Sequence, residues 1–309
     1  MVDPLRPVPP LGLGQKTRTA IDGALREEAP TPMRESPVLE VEEREMEHLS
    51  VSKIETATKC PLQLKLRYIN KIPELEVGKF VIGGSVHSVI EYALTQKAKG
   101  GPVPDNAFLD DLLLKEWDRE IAEREHKQSF VGWQWDAPPE KLRELARGTI
   151  PMVRVNILEK IQPAMVDGQP VVEYESKRQY ESEIGPFLVW GYLDTLTTAG
   201  TLIDWKTSDH LPKTARAMGY QFPAYSKEVV AITKREITEC RRVFILYGAE
   251  PSIEVFKFSV APRHREWFAS VAAEVWKMVK AGAYPPNTTS YLCSKKFCGF
   301  WEGCQGELA

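Results

Sequence analysis

The chain has 309 residues, a formal net charge of −3, 43% hydrophobic and 27% charged residues, the balance of an ordinary globular protein of one or two domains. It is neither collagen-like nor wholly disordered, and no run of about 18 apolar residues offers a membrane-spanning helix. With 40 basic against 43 acidic residues it is no polycation, so contact with nucleic acid must come from a local patch or from metal ions on the phosphates. The start, Met1 to Gly14, is broken by Pro4, Pro7, Pro9 and Pro10 and lacks the apolar stretch of a secretory signal. Five cysteines are too few for a secreted disulfide scaffold, and Cys293, Cys298 and Cys304 cluster near the C-terminus. Clustered thiols in a chain without an export signal read as metal or cluster ligands, and a cytoplasmic location is expected.

Residues 1 to about 37 hold seven prolines, and Glu40, Glu42, Glu43, Glu45 and Glu47 follow as an acidic run. Residues 1–48 therefore read as a flexible, solvated tail, and 49–309 as a single domain. A mostly helical part is expected over 49–166, an α/β core over 167–282 and a cysteine segment over 283–309. Ser50 or Ser52 can cap a short helix before Cys60-Pro61. Gly83-Gly84-Ser85 opens a helix to about Lys99, and Asp105 caps another through about His126. Pro138-Pro139 opens a long helix, kinked at Pro151 and ending near Met165.

Then the hydrophobic period changes. Val171–Tyr180, Phe187–Thr197 and Thr201–Thr207 read as strands joined by glycine-containing turns, and Thr214–Thr233 as a helix. Arg241–Tyr247 and Ile253–Val260 read as two more strands, and Pro262–Lys280 as a helix. The expected fold is α/β, a mixed central sheet flanked by helices, with a helical N-terminal insertion and a C-terminus clasped by cysteines.

Asp204-Trp205-Lys206 is the most informative stretch. On a strand Asp204 and Lys206 point the same way, so a carboxylate and an ammonium stand side by side. A hairpin through Ala199-Gly200 brings Asp194 close to Asp204. Two such carboxylates suit Mg²⁺ or Mn²⁺, although an ion pair between Asp204 and Lys206 explains part of the pattern equally well. His87 and Glu91 share a helix face at i and i+4, as do Gln221 and Tyr225. Each pair alone is also what an ordinary amphipathic helix presents.

Together, Gly83-x-x-x-His87, Gly191-Tyr192-Leu193-Asp194, Asp204-Trp205-Lys206 and Gln221-x-x-x-Tyr225 resemble the PD-(D/E)XK nuclease superfamily, in particular the RecB-type exonuclease domains, in the same order along the chain. The opening from Leu49 through Cys60-Pro61 is similar to the iron–sulfur branch, which includes AddB-type nucleases and small CRISPR-associated exonucleases. The resemblance covers about Leu49 to Cys304 and implies a restriction-endonuclease-like core.

It further implies that His87, Asp194, Asp204 and the carbonyl of Trp205 hold a Mg or Mn ion. Lys206 would orient or activate the attacking water, and Gln221 and Tyr225 would orient DNA or the lysine. Glu173 or Glu175 would support the site. Cys60, Cys293, Cys298 and Cys304 resemble a 4Fe–4S ligand set. The family's C-x2-C-x5-C is here C-x4-C-x5-C, and zinc is the alternative. Cys240 reads as a buried core residue.

The implied activity is a metal-dependent DNA exonuclease acting at single-stranded ends in recombination, repair or CRISPR-type adaptation. Expected partners are DNA and a helicase, a recombinase or CRISPR adaptation proteins, with no membrane. No GxxxxGK[ST] phosphate loop is present, so the chain carries no motor of its own. The alternative is a catalytically silent DNA-binding or partner-organising module of the same fold. Lys65, Arg67, Lys71, Lys234, Arg235, Arg241, Arg242, Lys295 and Lys296 are candidate substrate guides. Trp133 and Trp135 either stack on bases from a loop or pack against the helices.

Overall fold

The computed structural model describes residues 46–304 apart from 238, 291, 296 and 302; most of the expected tail, 1–45, lies outside the described residues. The elements in chain order are α1 (Val51–Lys59), α2 (Pro61–Leu64), a π-helical turn Lys65–Ile69, β1 (Glu74–Val77), α3 (Lys79–Ala98), α4 (Asn106–Glu125) and β2 (Phe130–Gln134). There follow α5 (Pro139–Gly148), α6 (Ile150–Val153), a second π-helical turn Arg154–Leu158, and the two-residue strands β3 (Met165–Val166) and β4 (Gln169–Pro170). The rest comprises β5 (Val172–Tyr180), β6 (Phe187–Leu196), β7 (Thr201–Ser208), α7 (Gln221–Thr233), β8 (Glu239–Leu246), β9 (Ser252–Phe258) and α8 (Pro262–Lys280).

The central sheet has five strands in the order β5-β6-β7-β8-β9. Within this sheet β7 and β8 are the parallel pair, and α7 makes the crossover that such a pair requires. The sheet is buried between helical layers. On one face α3 carries Val81, Ile82, Val86, Val89, Ile90, Ala93 and Leu94 into a core with Trp205 and Ile203 of β7, Val243 and Ile245 of β8, and the apolar faces of α4 and α5. A helix apolar nearly all round is one enclosed between layers. On the other face Phe222 and Val229 of α7 pack on Leu193, Leu196, Leu202 and Cys240, while α1 and α8 close over the β5–β6 end with Phe187, Phe268 and Trp276.

Local chemistry sets several boundaries. Ser50 caps α1 by accepting from the Lys53 N–H at 3.2 Å, and Asp105 caps α4 by accepting from Phe108 N–H at 2.9 Å. α3 begins at Lys79, before the glycines expected to open it. Gly84 sits within the helix because a Cβ there would run into the Glu120 carboxylate of α4.

Three expectations are corrected. The helix expected over Thr214–Thr233 starts only at Gln221; the segment before it is a turn with Gly219 at φ +68°, its carbonyls at Ala217 and Met218 held by the Arg242 guanidinium. The long helix after Pro138-Pro139 ends at the π-helical turn before Glu159, not near Met165. Trp133 lies not in a loop but in β2, which pairs in parallel with β1. Its ring stacks on Trp135 at 4.8 Å, its indole N–H donates to Glu125, and both rings pack against the α3 core.

Candidate active site

The site grows from a break in the sheet. The hairpin pairs Thr195 with Ile203 and Leu196 with Leu202, and then β6 and β7 part. The strand groups freed by the parting find other partners. Asp194 Oδ2 accepts from the Trp205 backbone N–H at 2.7 Å. Farther along β6, Leu49 N–H donates to the Leu188 carbonyl at 2.9 Å and Trp190 N–H to the Leu49 carbonyl at 2.8 Å. The Tyr192 N–H donates to the Tyr225 phenol. Gly191 makes that approach possible, since a Cβ there would stand 2.7 Å from the Tyr225 Oη.

On β5 the register places Glu173 between the pairs Val172–Thr195 and Tyr174–Leu193, opposite Asp194. Glu173 has φ +44°, a left-handed conformation costly for a side chain and concentrated at functional sites. The kink breaks the alternation of faces: Val172 belongs to the α3 core and Tyr174 packs against the α7 core. Glu173 and Asp194 are thereby turned into the cleft, and Asp204 of β7 completes a row of three carboxylates.

The charges in this row are confined. Asp204 is buried, with Lys206 Nζ donating to its Oδ1 at 2.6 Å and Arg242 Nε to its Oδ2 at 3.0 Å. Burial and the neighbouring Asp204 carboxylate hold Asp194 well above the usual range. Burial, with repulsion from Glu91, raises Glu173 to about 7. Burial pulls the Lys206 ammonium down, but Asp204 and Asp194 more than offset it and its pKa ends above that of an ordinary lysine. His87 reaches the row from α3 and its ring donates to the Trp205 carbonyl; burial, then Lys206, push its pKa down to about 4. The imidazole is therefore neutral at pH 7, the form in which it ligates metals.

Of the residues read from the sequence, His87, Asp194, Asp204, Lys206 and the Trp205 backbone converge here. Tyr225 stands beside the carboxylates, which with burial raise its phenol pKa. Gln221 lies with it in an adjoining pocket lined also by His48, Ser50, Ser52, Trp190 and Tyr192. Glu173 is the carboxylate turned inward, whereas Glu175 pairs with Lys177 at 3.0 Å.

Arg242 is not the substrate guide its charge implies; it is a buried partner of Asp204, and its signal in the sequence is an arginine directly before the apolar run Val243–Leu246 of β8. Two of the other basic candidates are held in ion pairs. Arg67 pairs with Glu74 at 2.6 Å, Arg241 pairs with Glu239, and Lys296 lies outside the described residues.

Among the described residues, no group of three or more His, Cys, Asp and Glu side chains stands in metal-binding array. Cys60, Cys293, Cys298 and Cys304 nevertheless line one apolar pocket between α1–α2 and the C-terminal segment. Asn287 N–H donates to the Cys60 sulfur at 3.5 Å, and Phe300 N–H to Cys298. Cys240 is buried in β8, and burial pushes its thiol up to about 12. No helix among the described residues is long and apolar enough to cross a membrane.

Comparisons with known proteins give a family, a relative and a solved structure to which the chain is similar. The gene 69 protein of Mycobacterium phage D29 is 28% identical over 175 residues, 52% of this chain. The match spans 62% of that relative's length. The crystal structure named "Putative exonuclease" from Eubacterium rectale aligns over 83% of this chain and 88% of its own, at 12% identity and a TM-score of 0.49. The model of the PD-(D/E)XK nuclease superfamily matches residues 48–305, from the residue before Leu49 to the residue after Cys304. The five-stranded sheet with its helical layers is thus a restriction-endonuclease-like fold, and the chain belongs to the PD-(D/E)XK nuclease superfamily.

Proposed function

We propose that the protein is a divalent-metal-dependent DNA exonuclease of the RecB type that hydrolyses phosphodiester bonds at single-stranded ends. The observation that carries this is the row Glu173, Asp194 and Asp204, packed so closely that burial and mutual repulsion raise Glu173 and Asp194, beside a neutral imidazole. Such a donor set fits Mg²⁺ or Mn²⁺, since a divalent cation relieves that repulsion. His87, Asp194, Asp204 and the Trp205 carbonyl are the proposed ligands. When bound, the metal supplies Lewis acidity and a water of lowered pKa.

Lys206 stands beside Asp204, whose carboxylate favours its ammonium form. It orients or activates the attacking water and offsets charge developing on the phosphate. Asp194 holds the Trp205 N–H and so fixes β7 against β6 at the point of attack. Gln221 and Tyr225 orient the DNA strand at the cleft between the two strands.

The cysteines Cys60, Cys293, Cys298 and Cys304 are proposed to hold one 4Fe–4S centre, with zinc as the alternative. Their common pocket and the N–H donors aimed at Cys60 and Cys298 support a thiolate site. Its role is to tie α1–α2 to the C-terminal segment. Recombination, repair and CRISPR-type adaptation, with a helicase, recombinase or adaptation protein beside it, are the settings such an enzyme fits.

The test is degradation of 5′- and 3′-labelled single and double strands by purified protein with Mg²⁺ or Mn²⁺. Metal-dependent release of mononucleotides or short oligonucleotides from single-stranded ends is expected. DNA binding without any cleavage identifies the silent module instead.

A further inference from the structure

The pocket beside the carboxylates carries chemistry that the proposed hydrolysis does not use. It is lined by His48, Ser50, Val51, Ser52, Trp190, Gly191, Tyr192, Gln221 and Tyr225. Tyr192 stands two residues before Asp194 on β6, and its side chain is 50% exposed, unusual for a large ring on a central strand. Trp190, two residues farther, meets His48 with ring centroids 4.9 Å apart and planes tilted by 53°. The Lys177 ammonium stands 4.2 Å over the Trp190 ring. Tyr225 joins the two regions, feeling the charges of Asp194, Asp204 and Glu173 while lining the pocket.

We propose that this pocket binds the nucleotides of a single DNA strand next to the bond being cut, with Tyr192 as the stacking platform for one base. The proposal rests on the exonuclease reading and names the substrate form that its site selects.

Three features support a single strand over other occupants. The exposed Tyr192 ring offers a π-face to an unstacked base, which a duplex keeps inside its own stack. The Ser50 and Ser52 hydroxyls, 2.9 Å apart at the start of α1, and the Gln221 amide supply neutral polar groups for phosphate and sugar. Lys177 over Trp190 and Lys53, whose ammonium donates to the His48 carbonyl at 3.0 Å, place positive charge along the same edge. Tyr192 stands two residues from Asp194 on β6, so a strand seated on its ring leads to the proposed metal ligands.

The test is binding of fluorescein-labelled oligonucleotides, read by anisotropy in Ca²⁺, for the full-length protein and for Tyr192→Ala and Tyr192→Phe. Tyr192→Ala is expected to weaken single-strand binding about 5- to 150-fold, the usual worth of one stacked base, and to leave blunt-duplex binding unchanged. Tyr192→Phe keeps the ring and should bind like the unaltered protein. An oligonucleotide with an abasic site at the position beside the cut should show the same loss, and combining it with Tyr192→Ala should add little more.

Unchanged single-strand affinity in Tyr192→Ala, or an equal loss on duplex, overturns the proposal. If cleavage by the unaltered protein is abolished by Asp204→Ala while Tyr192→Ala binds normally, the nuclease reading stands and the stacking platform falls. If the unaltered protein neither binds nor cuts DNA, both fall.

Discussion

Asp204 and Arg242 face each other across the parallel pair of β7 and β8, and Arg242 bonds both the Asp204 carboxylate and the two carbonyls that precede α7. One guanidinium thus fixes the orientation of a candidate metal ligand and the approach of the helix that carries Gln221 and Tyr225. Only the planar, multidentate arginine head spans these acceptors. Arg242→Lys should keep the charge but lose the clamp. We expect a cleavage rate lower by at least about 10-fold with a raised metal requirement, because supporting bonds to ligands commonly matter that much. Steady-state kinetics across a metal titration check it; unchanged metal dependence would make Arg242 a packing residue only.

Asp204→Ala and Lys206→Ala should each abolish cleavage, by on the order of 10²-fold or more. Lys206 is partly exposed at the cleft, so Lys206→Ala should fold normally by circular dichroism. Wild-type rates in either variant would remove the proposed site.

Glu173 is a strained residue held for its carboxylate. Glu173→Gly removes the cost of φ +44°, the burial of a carboxylate and its repulsion with Glu91 and Asp204. It should raise stability by about 1 kcal/mol while lowering cleavage. A denaturant melt read beside the nuclease assay tests whether stability and activity move in opposite directions.

Mn²⁺ should support cleavage at least as well as Mg²⁺, because a neutral imidazole among oxygen ligands suits the softer ion. Ca²⁺ should bind without turnover. Full activity in excess EDTA would refute the metal requirement.

For the cysteines, anaerobically purified protein should be brown with absorption near ~400 nm. Cys60→Ser should lose the centre and much of its stability, since the link to Cys293 closes a very long loop. Cys240→Ser should bind the centre normally. Colourless protein with one equivalent of zinc would identify the alternative metal, and stable, active, metal-free protein would leave neither.

The sequence by itself determined the order and type of the main elements. Period-two runs gave β5, β6 and β7 nearly to the residue, and Pro262 fixed the start of α8, because alternation and caps are local properties. It also set Asp194 near Asp204 through the Ala199-Gly200 hairpin. What it left open depends on contacts between distant segments. The choice of Glu173 over Glu175 rests on a backbone kink against β6, and the burial of Arg242 rests on the parallel pairing of β8 with β7. The late start of α7 rests on carbonyls drawn toward that arginine. The parting of β6 from β7 makes room for Tyr225 and exposes Tyr192. No local pattern encodes it, because the freed strand groups are satisfied by Leu49 and Tyr225, residues brought there only by the packing of α1 and α7.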